Sequence, residues 1–251
     1  MKTNIIKGDT NNTLPLALVT GAGHRLGRAI ACRLANLGYH TVIHYHTARQ
    51  EAEETQKQIN GQGGKATIIQ SDLTQPEQID TLFEKIRSIE QPLEVLVNSS
   101  ATMLRGRLND FSLEQWDLIM NLNLRAVWLC SQKAAKLMQA RGGVIINISD
   151  SGAGRMWANY GAYSISKAGV EVLTRLLAKT LAPNIRVNAV APGLILPPDD
   201  FADDVWEELV QRLPLKRSGN PEDIGNAIEF ILNNDYFTGQ ILTMDGGYQL
   251  I

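Results

Sequence analysis

Seven short, apolar-rich runs, separated by longer stretches of helical periodicity, constrain this 251-residue chain more than any other feature. They are LPLALVT (14–20), YHTVIHY (39–45), KATIIQ (65–70), LEVLVN (93–98), GVIINIS (143–149), IRVNAV (185–190) and GQILTM (239–244). Several are apolar at nearly every position, the pattern of strands covered on both faces in a parallel sheet. Between them the spacing predicts helices near 26–37, 49–60, 76–89, 112–140, 160–182 and 221–232. Parallel neighbours need a crossover, which a helix supplies. The alternation therefore predicts an α/β fold: a single doubly wound, three-layer domain with about seven parallel strands.

Composition narrows the partners. A 44% apolar share supplies a core, and a net charge of -2 offers no basic excess for nucleic acid or an anionic membrane. No apolar run is long enough to span a bilayer, and MKTNIIKGDTNNT has no signal-peptide core. Residues 1–13 read as a mobile tail before a domain at 14–251, and a cytoplasmic location is expected. Cys32 and Cys130 form no CxxC and fit free thiols in a reducing compartment.

The rhythm breaks once, at 192–223. Pro192, Pro197 and Pro198 are followed there by an acidic, amphipathic stretch. Ligands of such sheets bind beyond the carboxyl ends of the strands, so a segment near 193–218 is expected to act as a substrate lid. A surface insertion is the other reading.

The first strand runs into Thr20-Gly-Ala-Gly-His-Arg-Leu-Gly27 and then a helix. Glycines there let the backbone turn tightly against a pyrophosphate, which the helix N-terminus stabilises. Arg25 stands inside that turn, where a guanidinium can bond phosphate oxygens in pairs. The second strand ends VIHYHTAR, with no acid before Glu51. A carboxylate there would hold the ribose hydroxyls of NAD and repel a 2′-phosphate. Its absence, with Arg25 and Arg49 nearby, favours NADPH. His44 and His46 alternate along the strand without further ligands at metal-binding spacing, so they read as an edge pair near the adenosine ribose and no metal is expected.

Tyr163 and Lys167 lie four apart and share one helix face. An ammonium beside a phenol can lower its pKa and bind a ribose hydroxyl. With the glycine turn, Asn123 in MNLNLRA and Pro192-Gly193 after strand six, the chain resembles the short-chain dehydrogenase/reductase family over residues 14–248. That resemblance implies a Rossmann fold, a nicotinamide cofactor, a tetramer of identical chains and a proton-relay role for Asn123. It assigns adenine contact to Asp72, for which a helix N-cap is the other use, and cofactor contact to Asn98.

Most members place a serine thirteen residues before the tyrosine, where this chain has Asp150. Ser149 and Ser151 are neighbours in the wrong register for a strand, and they stay as fallbacks because a loop could relax that rule. An ionised Asp150 would raise the Tyr163 pKa and partly cancel Lys167. That suits donation of a proton to a ring nitrogen. The chain is similar to the pteridine reductases in four respects: Arg25 in a glycine slot, His44-Tyr45-His46, Asp150 for serine, and the lid residues Pro192-Gly193-Leu194, Asp199-Asp200 and Val205-Trp206. It departs from them at Met103, where a stacking aromatic is usual, and at Thr47, where an arginine is usual.

The resemblance thus implies a catalytic set of Asp150, Tyr163, Lys167 and Asn123. It implies cofactor contacts from Gly21, Arg25, Leu26, Gly27, His44, Tyr45, His46, Asp72, Leu73, Asn98, Ser99, Ser100, Tyr163, Lys167, Pro192 and Gly193. Substrate contacts would come from Arg25, Met103, Asp150, Tyr163, Leu194 and Trp206, with Trp157 and Trp206 as a possible aromatic wall or as packing residues. The expected activity is NADPH-dependent reduction of a pterin (dihydrobiopterin, dihydromonapterin or dihydrofolate). Reduction of a carbonyl such as a 3-oxoacyl thioester is the alternative. A catalytically weak nucleotide-binding subunit is a third reading, opposed by the intact Tyr163, Lys167 and Asn123.

Overall fold

Strand β1 (Leu16–Val19) sets the frame. All four residues are buried, Ala17 and Val19 in one hydrophobic cluster and Leu16 and Leu18 in the other. This is the two-residue alternation of a strand covered on both faces. Around it lie β2 (His40–Tyr45), β3 (Lys65–Gln70), β4 (Leu93–Asn98), β5 (Gly143–Ile148), β6 (Ile185–Pro192) and β7 (Ile241–Met244). The seven strands form one sheet in the order β3-β2-β1-β4-β5-β6-β7, and every neighbouring pair is parallel. The computed structural model describes residues 13–198 and 202–251; residues 1–12 of the expected tail, and Asp199 and Asp200 of the lid motif, lie outside them.

Helices cover both faces. Buried residues of α1 (Arg25–Asn36), α2 (Arg49–Gly61) and α8 (Pro221–Asn233) join the cluster of Ala17 and Val19. Those of α3 (Pro76–Arg87), α5 (Ala126–Met138) and α6 (Gly161–Leu181) join the cluster of Leu16 and Leu18. Each fully buried Leu or Ile in these layers contributes about 1.5–3 kcal/mol, so packing rather than helix propensity holds the layers on the sheet. The α8 helix is also locally specified, with Pro221 in its first turn and a reciprocal cap between Asn220 and Asp223. Among the described residues, no helix is long and apolar enough to cross a membrane.

Three elements differ from the sequence reading. Strand β1 starts at Leu16 rather than 14, after Pro15, which has no N–H to give to a ladder. The single helix expected at 112–140 is interrupted: α4 (Leu113–Met120) passes through a π-turn (Asn121–Arg125) into α5. Within the lid, the acidic stretch forms a helix of its own, α7 (Asp203–Arg212), with Asp203 and Asp204 in its first turn facing the positive end of the helix dipole.

The order of the strands creates the crevice. From β1 the chain winds out through β2 and β3, then returns to β4 on the other side of β1 and winds outward again. Beyond the carboxyl ends of β1 and β4 the connections therefore diverge, leaving a ligand-sized gap at the switch point.

Candidate active site

Two adjoining cavities occupy this gap, of about 530 Å³ and about 500 Å³. They share Arg25, Asp150 and Tyr163. The inner one runs from His46 and Asp72 along the glycine turn to Tyr163 and Lys167; the outer one opens from Tyr163 toward Met103, Leu194 and Trp206.

The glycine turn is held by buried polar groups. Gly21 has φ +65°, a conformation that favours glycine, and a Cβ on it would come within 2.9 Å of Ser100 Oγ. Gly27 lets α1 rest on the turn, since a Cβ there would lie 2.1 Å from the Gly21 carbonyl oxygen. Thr20 Oγ1 accepts from the backbone N–H groups of Ser99 (2.9 Å) and Ser100 (3.1 Å), which ties the ends of β1 and β4 together. At the start of α1 the capping residue His24 makes no side-chain cap bond, and the first turn carries no acid. Its N–H groups and positive dipole end thus suit an anion. This donor set, the close-packed glycines and the elongated cleft fit a dinucleotide.

His44 differs from the sequence reading. The expected edge contact to ribose does not describe a buried imidazole whose Nδ1 accepts from Gly21 N–H (3.1 Å) and whose Nε2 donates to the Ser71 carbonyl (3.0 Å). Those two bonds require the neutral ring protonated on Nε2. Burial lowers its pKa to about 4, opposed by the bond to Ser71. His44 lines the cleft as a support for the turn. His46 lies just beyond β2, exposed, with Nε2 4.0 Å from Asp72 Oδ2. Among the described residues, no group of three His, Cys, Asp or Glu side chains could hold a metal.

Asp72 caps no helix: the N-cap position of α3 is Gln75, which makes no side-chain cap bond, and Asp72 Oδ1 accepts from Thr74 N–H (2.9 Å) and Thr74 Oγ1 (2.8 Å). Partial burial works against its ionisation. The Thr74 bonds and the nearby His46 and His44 outweigh that and leave its carboxyl below the ordinary range. Tyr45, Leu73, Ser99, Ser100, Leu26, Pro192 and Gly193 all line the inner cavity.

Asn98 does not. Its amide donates to Asn147 Oδ1 (2.8 Å) and Ser131 Oγ (3.2 Å) inside the structure, and Asn147 in turn donates to Thr174 (2.9 Å). A buried amide must satisfy its hydrogen bonds, and these bonds join β4, β5, α5 and α6 rather than reach a cofactor. Contact through the Asn98 side chain is therefore corrected to a structural role. The side chain of Asn123 is likewise engaged: Oδ1 accepts from Thr102 N–H (2.8 Å), and Nδ2 donates to the Thr102 carbonyl (2.8 Å) and Ser166 Oγ (3.1 Å). It anchors the 101–103 segment to α6 and lies in the π-turn that breaks the expected long helix.

Arg25 sits in the glycine slot with φ +52°, the left-handed region that glycine ordinarily fills. Its Nη2 donates to the Pro197 carbonyl (2.7 Å), so the guanidinium bridges from the glycine turn to the lid.

At the junction of the cavities, Asp150 follows β5 and caps a short 3₁₀ turn (Ser151–Gly154), with Oδ1 accepting from Gly152 N–H at 2.6 Å. Its other oxygen, Oδ2, accepts from the Tyr163 hydroxyl at 2.8 Å. Tyr163 stands in the first turn of α6 and Lys167 one turn later. The Lys167 ammonium donates to the Ile148 carbonyl (2.8 Å) and lies 5.7 Å from the Tyr163 ring centroid.

Burial, then the charge and hydrogen bond of Asp150, raise the Tyr163 pKa well above the ordinary tyrosine value. The expectation that Lys167 would lower it is therefore reversed in the net. Burial raises the Asp150 pKa against the bonds from Gly152 and Tyr163 and the charge of Lys167. Burial also takes Lys167 down to about 8, with Asp150 opposing. The phenol is thus held in its protonated form.

Of the two serines beside Asp150, Ser149 bonds toward α6, to Glu171 Oε1 (3.2 Å) and the Lys167 carbonyl (3.3 Å). Ser151 is buried against the outer cavity. The sequence reading missed the outer wall. Arg105, Tyr160 and Tyr248 line it with Trp157. Tyr248 follows Gly246 and Gly247, whose φ values of +62° and +88° turn the chain back toward the site; the pair of glycines was the visible signal.

The model of a family described as enoyl-(acyl carrier protein) reductase matches residues 21–249. A chloroplastic NADPH-dependent aldehyde reductase-like protein of Arabidopsis thaliana is 34% identical, covering 93% of each chain. A 3-oxoacyl-(acyl-carrier-protein) reductase FabG of Staphylococcus aureus is 33% identical over 92% of this chain and 96% of its own. Among solved structures, FolM alternative dihydrofolate reductase 1 of Brucella canis, complexed with NADP, superposes with a TM-score of 0.90 at 30% identity, covering 94% of each chain. Its counterpart from Brucella suis, also with NADP, gives the same TM-score and identity over 95% of this chain and 96% of that one. With the strand order, the glycine turn and the Tyr163–Lys167 helix, these matches establish that the chain is an oxidoreductase of the short-chain dehydrogenase/reductase family.

Proposed function

We propose that the chain reduces a pterin ring of the dihydrobiopterin, dihydromonapterin or dihydrofolate type, with NADPH as cofactor and Tyr163 as proton donor. The observation that carries this reading is the 2.8 Å bond from the Tyr163 hydroxyl to Asp150 Oδ2. A carboxylate against the phenol keeps it protonated before reaction, so the resting pair holds a proton to give and has no phenolate to take one from an alcohol. The FolM structures from Brucella support the pterin class.

Bound NADPH supplies the hydride. Gly21, Gly27 and the α1 N-terminus bind its phosphates, and Lys167, beside Tyr163 at the inner end, holds the nicotinamide ribose. Tyr163 delivers its proton to the ring nitrogen next to the carbon that takes the hydride, which completes reduction of a C=N bond to CH–NH. Lys167 offsets the charge left on the phenol oxygen. Asp150, bonded to Gly152 N–H, keeps the hydroxyl aimed into the junction of the two cavities. The segment 193–218 acts as the lid, with Leu194 and Trp206 facing the substrate and Arg25 linking it to the cofactor turn.

The FabG and aldehyde reductase-like relatives favour a second reading, reduction of a carbonyl such as a 3-oxoacyl thioester. NADPH oxidation with a panel of dihydropterins, dihydrofolate and 3-oxoacyl thioesters separates the two. Turnover of a pterin is expected, and Asp150→Ser is expected to lower it about 100-fold. Turnover of thioesters alone, kept or raised by Asp150→Ser, would replace the first reading by the second.

A further inference from the structure

The amide that holds Asp150 is itself held from a distant part of the chain. Asp150 Oδ1 accepts from Gly152 N–H at 2.6 Å, which leaves Oδ2 for the Tyr163 hydroxyl. That N–H belongs to the peptide unit whose carbonyl is the Ser151 oxygen. The Ser151 oxygen accepts from Gln249 Nε2 at 3.0 Å, across 98 residues of sequence. The two bonds leave opposite edges of one planar amide, so a turn of the plane would break both. Accepting at its oxygen also polarises the N–H of the same amide and strengthens the bond that it gives. The Trp157 ring packs against Gly152, where a Cβ would come within 2.4 Å of it, and Ala153 N–H closes the turn on the Asp150 carbonyl at 3.0 Å.

Gln249 is exposed, yet its backbone is framed from several directions. The two oxygens of Asp245 accept from Gly247 N–H and Gln249 N–H, each at 2.9 Å. Arg155, at the end of the Asp150 turn, donates to the Tyr248 carbonyl, and its guanidinium lies 4.4 Å from the Tyr248 ring centroid. The same segment meets both ends of the lid. Gly193 N–H donates to the Met244 carbonyl (2.9 Å), and Leu215 N–H donates to the Gly246 carbonyl (3.2 Å). Gln249 lines neither of the two cavities.

We propose that Gln249 is a positioning residue for the proton transfer: through the 151–152 peptide it fixes the Asp150 carboxylate and thereby the aim of the Tyr163 hydroxyl. It acts without touching substrate or cofactor. This rests on the reading above in which Tyr163 gives its proton to a pterin.

The test measures single-turnover NADPH oxidation by a dihydropterin in the full chain, with NADPH affinity from a fluorescence titration. Gln249→Ala should lower the maximal rate about fivefold while half-saturation by the pterin and NADPH affinity stay within about twofold of the parent. Its solvent isotope effect should rise, because a misaimed hydroxyl slows the proton step. Gln249→Glu keeps the length, loses the donor, and should fall at least as far. Gln249→Lys keeps a donor and should stay within about twofold of the parent. In an Asp150→Ala background, Gln249→Ala should cost nothing further, because residues acting through one contact are not additive. An unchanged rate in Gln249→Ala, an equal loss in Gln249→Lys, or a full loss in the Asp150→Ala background overturns the positioning role and leaves the pterin reading standing. If Asp150→Ala alone keeps the parental rate, or no pterin is reduced, both fall.

Discussion

His44 allows a worked forecast, because its two bonds dictate its protonation state. The folded protein keeps the ring neutral down to about 4, against 6.5 for the free side chain. Between those values the unfolded chain binds the extra proton. Stability that is fully present above about 6.5 is therefore lost as pH falls toward 4. At about 1.4 kcal/mol per pH unit, the gap amounts to about 3 kcal/mol.

His44→Asn isolates this contribution. An asparagine oxygen can take the place of Nδ1 and accept from Gly21 N–H, but it binds no proton in this range and gives up the Ser71 bond. Near pH 7.5 the variant should be about 1 kcal/mol less stable than its parent. Urea unfolding near pH 4.5 should then show the parent losing about 2–3 kcal/mol more than the variant does on acidification. Carboxylates titrate in both proteins and cancel in the comparison. Equal losses in the two proteins would refute the assignment of a neutral, doubly bonded ring. Because the folded ring stays neutral down to about 4, His44 itself should leave the NADPH affinity of the folded parent unchanged across this interval.

Three other outcomes are expected. Lys167 titrates at about 8, so kcat/KM for NADPH oxidation should fall as pH rises through about 8; Lys167→Arg, which stays charged, should move that fall to higher pH. Gly27→Ala places a methyl 2.1 Å from the Gly21 carbonyl oxygen and should destabilise the protein by about 1–3 kcal/mol in urea unfolding while weakening NADPH binding in a fluorescence titration. Asn98→Ala leaves Asn147 and Ser131 with lost partners and should cost about 1–3 kcal/mol, while the folded variant keeps its NADPH affinity.

The alternation of apolar strands and amphipathic helices made the sheet legible, because strands such as β1 are buried on both faces and show it at every residue. The glycine turn and the Tyr163–Lys167 pair were legible for the same reason, since their geometry is local. The bonding partners of Asn98, Asn123 and His44 were not legible, because each lies far away along the chain. Nothing near residue 44 reveals that Gly21 and Ser71 will close on its ring, and nothing near residue 98 points to Asn147. The π-turn inside the 112–140 region escaped for the same cause: Asn123, which lies in it, bonds to Thr102 and Ser166, from two other parts of the chain. The outer wall also needed distance, because Arg105, Trp157 and Tyr248 meet only after folding.

Arg25 exposes a conflict between what the fold prefers and what the site uses. A residue with a Cβ costs about 1–2 kcal/mol in the left-handed conformation it holds. Glycine would relieve that cost and give back about 0.4–1 kcal/mol through a freer unfolded chain. On stability alone, Arg25→Gly would be neutral or slightly favourable, and the turn would keep its shape. The arginine therefore owes its place to the guanidinium, which reaches the lid carbonyls across both cavities. A screen for heat-resistant variants would tend to discard it, and a screen for turnover would tend to bring it back.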